Sequence, residues 1–90
     1  MKRDYFISVA LASFNGEKYI KKQLESILVQ LDDNDEVIIS DDGSLDNTLS
    51  IIKNFNDKRI KVIEGPKMGV KQNFANAISH SNGKYIFLSD

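Results

Sequence analysis

Apolar and polar positions along the chain follow two patterns, short apolar runs and longer stripes with helical spacing. The apolar runs predict four strands, at residues 6–11, 36–40, 59–64 and 84–88. The stripes, with apolar residues three or four positions apart, predict helices at residues 17–31, 45–55 and 70–81. The resulting order is β-α-β-α-β-α-β, which implies helical crossovers between parallel strands. We therefore predict an α/β fold, a three-layer α/β/α Rossmann-like parallel sheet.

Polar turns separate these elements and indicate where the helices begin and end. Asn15 is the predicted N-cap of the first helix, and Ser44 is the predicted N-cap of the second. The pair Asn82-Gly83 is a helix stop after the third. The strand at 59–64 alternates polar and apolar residues, so we expect it nearer an edge of the sheet than the first strand, which is apolar on both faces.

Composition and charge narrow the class of protein. The chain of 90 residues has 12 Lys and Arg against 13 Asp and Glu, so we expect no basic surface for nucleic acid. It has no cysteine, which excludes disulfides, thiolate metal sites and a cysteine nucleophile within it. The apolar stretch near the N-terminus runs into polar residues without a cleavage site and is too short to span a membrane. We therefore expect a cytoplasmic location.

Residues suited to polar ligands follow the carboxyl ends of the predicted strands. In an open α/β sheet, ligands bind at this edge. The segments that meet there are 12–15, 41–44, 65–69 and 89–90. Their carboxylates could accept hydrogen bonds from a base or ribose or hold a hard cation, and two helix N-termini could donate N–H groups to a phosphate. Each segment alone is also ordinary turn chemistry, so it is their convergence on one edge that favours a site.

Several polar side chains near this edge have two possible roles. Asp41 either organises its own loop or contacts a ligand. Lys67 and Lys71 flank a glycine and either reach a diphosphate or form a solvated basic loop. Asn73 is expected either on a helix surface or in contact with the ligand. His80 suits the C-terminal end of a helix dipole and is interpreted as structural.

Three parts of the chain together resemble the family 2 glycosyltransferases. Segment 7–16 is similar to the opening strand and turn of that family. Segment 36–48, which contains Asp41-Asp42-Gly43-Ser44, is close to its D-D-G-S-x-D-x-T signature. Segments 69–73 and 83–90 resemble the approach to its metal-binding D-x-D motif. The resemblance implies that residues 1–90 are the nucleotide-sugar-binding half of a GT-A glycosyltransferase domain, truncated at the start of D-x-D.

This resemblance implies a donor site for a UDP- or dTDP-linked sugar. The nucleotide-binding positions that it indicates are Ala12, Ser13, Phe14, Asn15, Asp41, Asp42, Lys71 and Asp90. Asp42 would bind the pyrimidine base, and Asp90 would open the motif that holds Mn²⁺ or Mg²⁺. Ala12 and Phe14 each lack a hydroxyl that relatives often carry, which weakens the expectation of hydrogen bonds from that turn. The segment 87–90 is most similar to rhamnosyltransferase-like members, so a deoxysugar donor is a further expectation.

The resemblance implies transfer of the sugar to a hydroxyl of a glycan or lipid-linked acceptor. Its usual setting is cell-surface polysaccharide or glycolipid synthesis, at the inner face of the plasma membrane. The family's catalytic base lies C-terminal to residue 90, so we expect the chain alone to bind donor without catalysing transfer. The alternative is a non-catalytic nucleotide-binding or assembly module; a receiver domain is disfavoured because the acidic pair follows the second strand. We also expect self-association through the fourth strand, as an exposed edge.

Overall fold

The computed structural model of the chain describes residues 3–89. In them, strands and helices alternate as β1 (Ile7–Ser13), α1 (Ile20–Leu28), β2 (Glu36–Asp41), α2 (Thr48–Asn54), β3 (Ile60–Glu64), α3 (Val70–Ser79) and β4 (Tyr85–Ser89). The strands form one parallel sheet in the order β3-β2-β1-β4. The predicted order of elements and the parallel sheet are confirmed.

Helices cover both faces of the centre of the sheet. One face packs against α1 and α2 through the strand residues Val9, Leu11, Val37 and Ile39. The opposite face packs against α3, where Ala10 and Ile38 meet Ala77. Successive strand residues point to opposite faces, so a strand buried on both sides must be apolar at consecutive positions. The predicted three layers are confirmed.

The strands differ sharply in burial from the centre of the sheet to its edges. Every residue of β2 is buried, whereas β3 forms one edge and is half-buried or exposed along its length. The prediction that β3 lies near an edge is confirmed. β4 forms the other edge within the described residues and exposes its side chains, with Tyr85 at 49%, Phe87 at 56% and Leu88 at 61% exposure.

The first helix begins later than its sequence pattern indicates. The amide groups of Tyr19 and Ile20 both donate to the Gly16 carbonyl, so a separate turn precedes α1 and Tyr19 is its N-cap. Asn15 lies outside the helix with a positive φ of 51°. The prediction of Asn15 as N-cap is therefore wrong, because this left-handed residue uses its side chain to contact the neighbouring loop.

The second and third helices are also shorter than predicted. Ser44 is not an N-cap, because its hydroxyl donates to Asp41 and α2 begins only at Thr48. α3 ends at Ser79, with His80 as its C-cap. Within residues 3–89, the helices are all too short, or too polar, to cross a membrane.

Candidate functional site

Asp41 lies at the carboxyl end of β2 and organises the loop that follows it. Its Oδ1 accepts hydrogen bonds from the hydroxyls of Ser13 and Ser44, both at 2.7 Å. Its Oδ2 accepts from the amides of Gly43 at 3.1 Å and Ser44 at 2.8 Å. Burial alone would raise the pKa of this carboxyl, but the hydrogen bonds from Ser13 and Ser44 outweigh it and hold the pKa below its usual range. Of its two possible roles, the structure favours the organising one.

Asp42, the next residue, has a carboxylate that can accept more hydrogen bonds than it does. Its amide donates to the Ser13 carbonyl at 2.9 Å, which fixes the backbone. Its Oδ1 accepts the amide of Lys67 at 2.8 Å, so the side chain joins the loops after β2 and β3. An ionised carboxylate can accept about four hydrogen bonds, and this half-buried one accepts a single bond within residues 3–89. Asp42 can therefore accept further donors from a ligand.

The loops after β1 and β2 are joined by hydrogen bonds that use backbone donors of the turn that precedes α1. The amides of Asn15 and Gly16 donate to the side chains of Ser44 and Thr48, both at 2.8 Å. The amide of Glu17 donates to Asp46 at 3.2 Å, and Asn15 Oδ1 accepts the amide of Leu45 at 2.8 Å. The expectation of phosphate binding at the helix N-termini stays a prediction, but the amides of Asn15, Gly16 and Glu17 are not free for it. They are already paired within the protein.

The remaining predicted positions are placed as follows. Ala12 is half-buried at the end of β1, and Ser13 is buried, with its hydroxyl and carbonyl both engaged. Phe14 is 60% exposed, and its ring is open to contact a ligand by packing. Lys71 is exposed in the first turn of α3. Asp90, predicted both to bind nucleotide and to hold metal, lies outside the described residues.

Gly65, which follows β3, was placed at the ligand-binding edge from the sequence but was not among the predicted nucleotide-binding positions. Its amide donates to the Asp41 carbonyl at 2.7 Å. A Cβ at this position would collide with Asp42 Oδ1 and would lie 2.5 Å from Asn73 Oδ1. Only the absence of a side chain therefore lets these oxygens approach the strand end. A glycine that follows a strand at the ligand-binding edge was the available signal.

Asn73, for which the sequence left two roles open, is buried beneath the same loops. It is 2% exposed, and its amide nitrogen donates to the Ser13 carbonyl at 3.2 Å. Its Oδ1 has no hydrogen-bond partner among the described residues. The expectation of a helix-surface position is wrong, because α3 turns this side chain towards the loop after β1. The structure thus brings Ser13, Asp42, Gly65 and Asn73 together.

The divalent cation expected from the sequence has no ready-made cluster of ligands among the described residues. Residues 3–89 contain no group of three or more His, Cys, Asp or Glu side chains that could hold a metal ion. Ca²⁺ and Mg²⁺ need about six or more oxygen ligands, some of them water. A cation at this edge would need further oxygen ligands, which water or a bound phosphate can supply.

Comparison with known proteins identifies a family and relatives with similar sequences. Residues 8–90 match the family described as Glycosyl transferase family 2. The chain is 32% identical over 88 residues to the Escherichia coli UDP-Glc:alpha-D-GlcNAc-diphosphoundecaprenol beta-1,3-glucosyltransferase WfgD. That match covers 97% of this chain and 35% of WfgD, so the chain spans about a third of the length of this relative.

Solved structures agree with the fold. S. aureus TarS 1-349 matches 93% of this chain and 26% of its own, with a TM-score of 0.84 and 28% identity. Its complex with UDP matches with a TM-score of 0.78 and 29% identity. The mannosyltransferase PcManGT from Pyrobaculum calidifontis, in complex with GDP-Man and Mn²⁺, has a TM-score of 0.80 at 21% identity, covering 94% of this chain and 27% of its own. The predicted GT-A arrangement is confirmed.

Proposed function

Because this chain belongs to glycosyl transferase family 2, we propose that it binds the nucleotide-sugar donor of a glycosyltransferase, with Asp42 as the base-binding carboxylate. The observation that carries the proposal is the unused acceptor capacity of Asp42 at the ligand-binding edge, beside a neighbour, Asp41, whose oxygens are all engaged. Uracil or thymine presents one N–H on its pairing edge, which such a carboxylate can accept. The similarity to UDP-bound TarS supports a uridine nucleotide as the first ligand to test.

Titration calorimetry of the chain with UDP and dTDP tests this proposal. We expect Asp42→Asn to weaken binding about tenfold or more, because a hydrogen bond to a charged group contributes roughly 1.5–3 kcal/mol. Asp33→Asn, in an exposed turn at the opposite end of the sheet, is the matched control and should bind as the unmodified chain does. Equal binding by Asp42→Asn and the unmodified chain would remove Asp42 as the base-recognising residue.

We propose further that the 90 residues supply donor binding and that transfer needs other parts of the parent enzyme. The acceptor named for the E. coli relative is lipid-linked, which supports a glycan or lipid-linked acceptor and work at the inner face of the plasma membrane. A transfer assay with the chain alone should give no product. Product formation would contradict the proposal that transfer needs other parts of the enzyme. It would also contradict the alternative of a non-catalytic module. Mn²⁺ or Mg²⁺ stays a prediction for the complete enzyme.

We also propose that the isolated chain self-associates through β4. This strand pairs only with β1 among the described residues and exposes Tyr85, Phe87 and Leu88. An exposed apolar edge strand is a template for pairing with a second chain. Sedimentation should show concentration-dependent association that Phe87→Lys reduces. A monomer at all concentrations would overturn the proposal.

A further inference from the structure

Lys67 has a backbone conformation that a lysine rarely adopts. Its φ is +59°, in the left-handed region that glycine and asparagine favour. Its amide donates to Asp42 Oδ1 at 2.8 Å, which holds it there. A glycine would make the same backbone contact with less strain. Strained residues cluster at ligand-binding sites, so the conformation of Lys67 indicates a role for its side chain in binding.

The side chain of Lys67 lies over the loop that follows β2. Its Cε is 3.1 Å, and its Nζ 3.6 Å, from the point where a Cβ on Gly43 would stand. Gly43 has a φ of +89° and no side chain, so the lysine covers the open side of this turn. None of the ion pairs within residues 3–89 includes Lys67. Its charge is therefore placed at the Gly43 turn, without a carboxylate held against it in this part of the chain.

An anionic ligand at this edge would need such a charge. The carboxylates of Asp41 and Asp42 repel a phosphate. The amides of residues 15–17 and of 43–45, which could otherwise bind one, are used by protein acceptors. Among the described residues, the lysine that is already directed onto the Gly43 turn is Lys67.

From this geometry we propose that Lys67 binds the phosphate groups of the nucleotide, so that the site selects a nucleoside diphosphate over the nucleoside. The inference rests on the proposed function, because it takes Asp42 as the base-binding residue of the same ligand. In this division Asp42 accepts the base, and the Lys67 ammonium donates to phosphate oxygens on the other side of the Gly43 turn. Its backbone amide meanwhile keeps the Asp42 carboxylate in place.

Calorimetry with uridine and UDP, in EDTA to remove divalent cations, tests this assignment. Lys67→Gly keeps the backbone amide, is compatible with the left-handed conformation and removes the whole side chain with its ammonium group. We expect it to weaken UDP binding about tenfold, as for loss of a charged hydrogen bond, and to leave uridine binding unchanged. Lys67→Arg should retain most of the UDP affinity. Lys53→Ala, in the last turn of α2, is the control for the loss of one positive charge.

The outcomes separate this inference from the proposed function. Equal weakening of uridine and UDP by Lys67→Gly would overturn it, because the lysine would then act on the nucleoside. Unchanged UDP binding by Lys67→Gly, with binding weakened by Asp42→Asn, would overturn it and leave the proposed function intact. If the unmodified chain binds neither ligand, both fail. A UDP-specific loss that arginine restores would support it.

Discussion

The two ends of this parallel sheet both contain buried carboxylates, but they differ in how completely their hydrogen bonds are used. At the amino end, Glu36 is 4% exposed, and its Oε2 accepts from Ser8 at 2.6 Å and from the Asn82 amide at 2.7 Å. Its Oε1 accepts from Lys61 at 3.1 Å. At the carboxyl end, Asp41 is as fully used, whereas Asp42 beside it is not. Unused acceptor capacity, more than burial, distinguishes a candidate ligand-binding carboxylate from a structural one.

The amino end is a closed network that joins four segments of the chain. The Ser8 hydroxyl, which donates to Glu36, accepts the amide of Gly83 at 2.8 Å and so connects β1 to the turn before β4. Nearby, Asp35 accepts from Arg3 at 2.6 Å and from the Ile7 amide at 2.9 Å. Every strand of the sheet is thereby fixed at this end.

The largest effects on stability should come from adding a methyl group to the two glycines that lie against neighbouring atoms, one at each end of the sheet. In Gly83→Ala, the Cβ would lie 2.5 Å from the Ser8 nitrogen and 2.7 Å from the Ile7 carbonyl carbon. In Gly65→Ala, it would collide with Asp42 Oδ1 and approach Asn73 Oδ1. We expect Gly83→Ala to lower the free energy of unfolding by about 3 kcal/mol or more, because backbone atoms must move, and Gly65→Ala to lower it by about 1–3 kcal/mol, because the atoms that it meets first are side-chain oxygens. Urea titration followed by circular dichroism measures this.

Nucleotide binding should separate the two glycine variants. At a temperature where both are folded, Gly65→Ala should lose UDP affinity, because it displaces Asp42, and Gly83→Ala should retain it. Gly16→Ala, where an added Cβ meets nothing within 4 Å, is the control for stability. Loss of UDP affinity in Gly83→Ala while it stays folded would show that the two ends are not independent.

Much of the fold could be predicted from the sequence, because it depends on local periodicity. The consecutive apolar residues of β2 and the alternation in β3 indicate a buried and an edge strand directly. The convergence of Asp42 and Gly65 on one edge follows from parallel topology alone. What could not be predicted depends on hydrogen bonds between distant residues: the amide of Gly16 pairs with Thr48, 32 positions away, and this pairing, not capping preference, determines the entry to α1.

The network around Glu36 shows the same limit. In the sequence this residue is only the polar start of an apolar strand. Its partner Asn82, together with Gly83, was interpreted as a helix stop, although the Asn82 amide donates to Glu36 and the Gly83 amide donates to Ser8 in the network at the amino end. Pairing across 46 positions has no local signature. The buried acid at the start of a strand was the signal that such partners must exist, since an unpaired buried carboxylate is costly.

Removing a carboxylate from each end should give opposite results. Glu36→Ala leaves the Ser8 hydroxyl and the Asn82 amide without their acceptor, so we expect a loss of about 2–3 kcal/mol in the free energy of unfolding. Its UDP affinity should be unchanged. Asp42→Ala loses one bond, from the Lys67 amide, and should cost about 1 kcal/mol or less while weakening UDP binding. If Asp42→Ala were the more destabilising of the two, Asp42 would be a structural residue and the comparison would fail.

The smallest expected effect is on the pH dependence of stability. Burial tends to raise the pKa of Glu36, but hydrogen bonds from Ser8 and Asn82 and the contact with Lys61 lower it below 4.5 overall, and Asp41 is likewise lowered below 3.8. Hydrogen bonds from Arg59 lower the pKa of Asp57 to about 2. A carboxyl with a depressed folded pKa binds protons more readily when unfolded. Its contribution to the free energy of unfolding is therefore complete above the pKa that it has in the unfolded chain, and it is lost as the pH falls through the pKa that it has in the folded chain.

Urea titrations at pH 7 and pH 3 should thus show that the unmodified chain loses stability on acidification. Glu36→Gln, which cannot titrate, should be less stable at pH 7 but lose less between the two pH values. Asp41→Asn should behave in the same way, because both carboxylates are fully hydrogen-bonded. Asp33→Asn, at an exposed position, should keep the full dependence. If Glu36→Gln lost as much stability between pH 7 and pH 3 as the unmodified chain does, the network at the amino end would not be holding the Glu36 carboxylate in its ionised form.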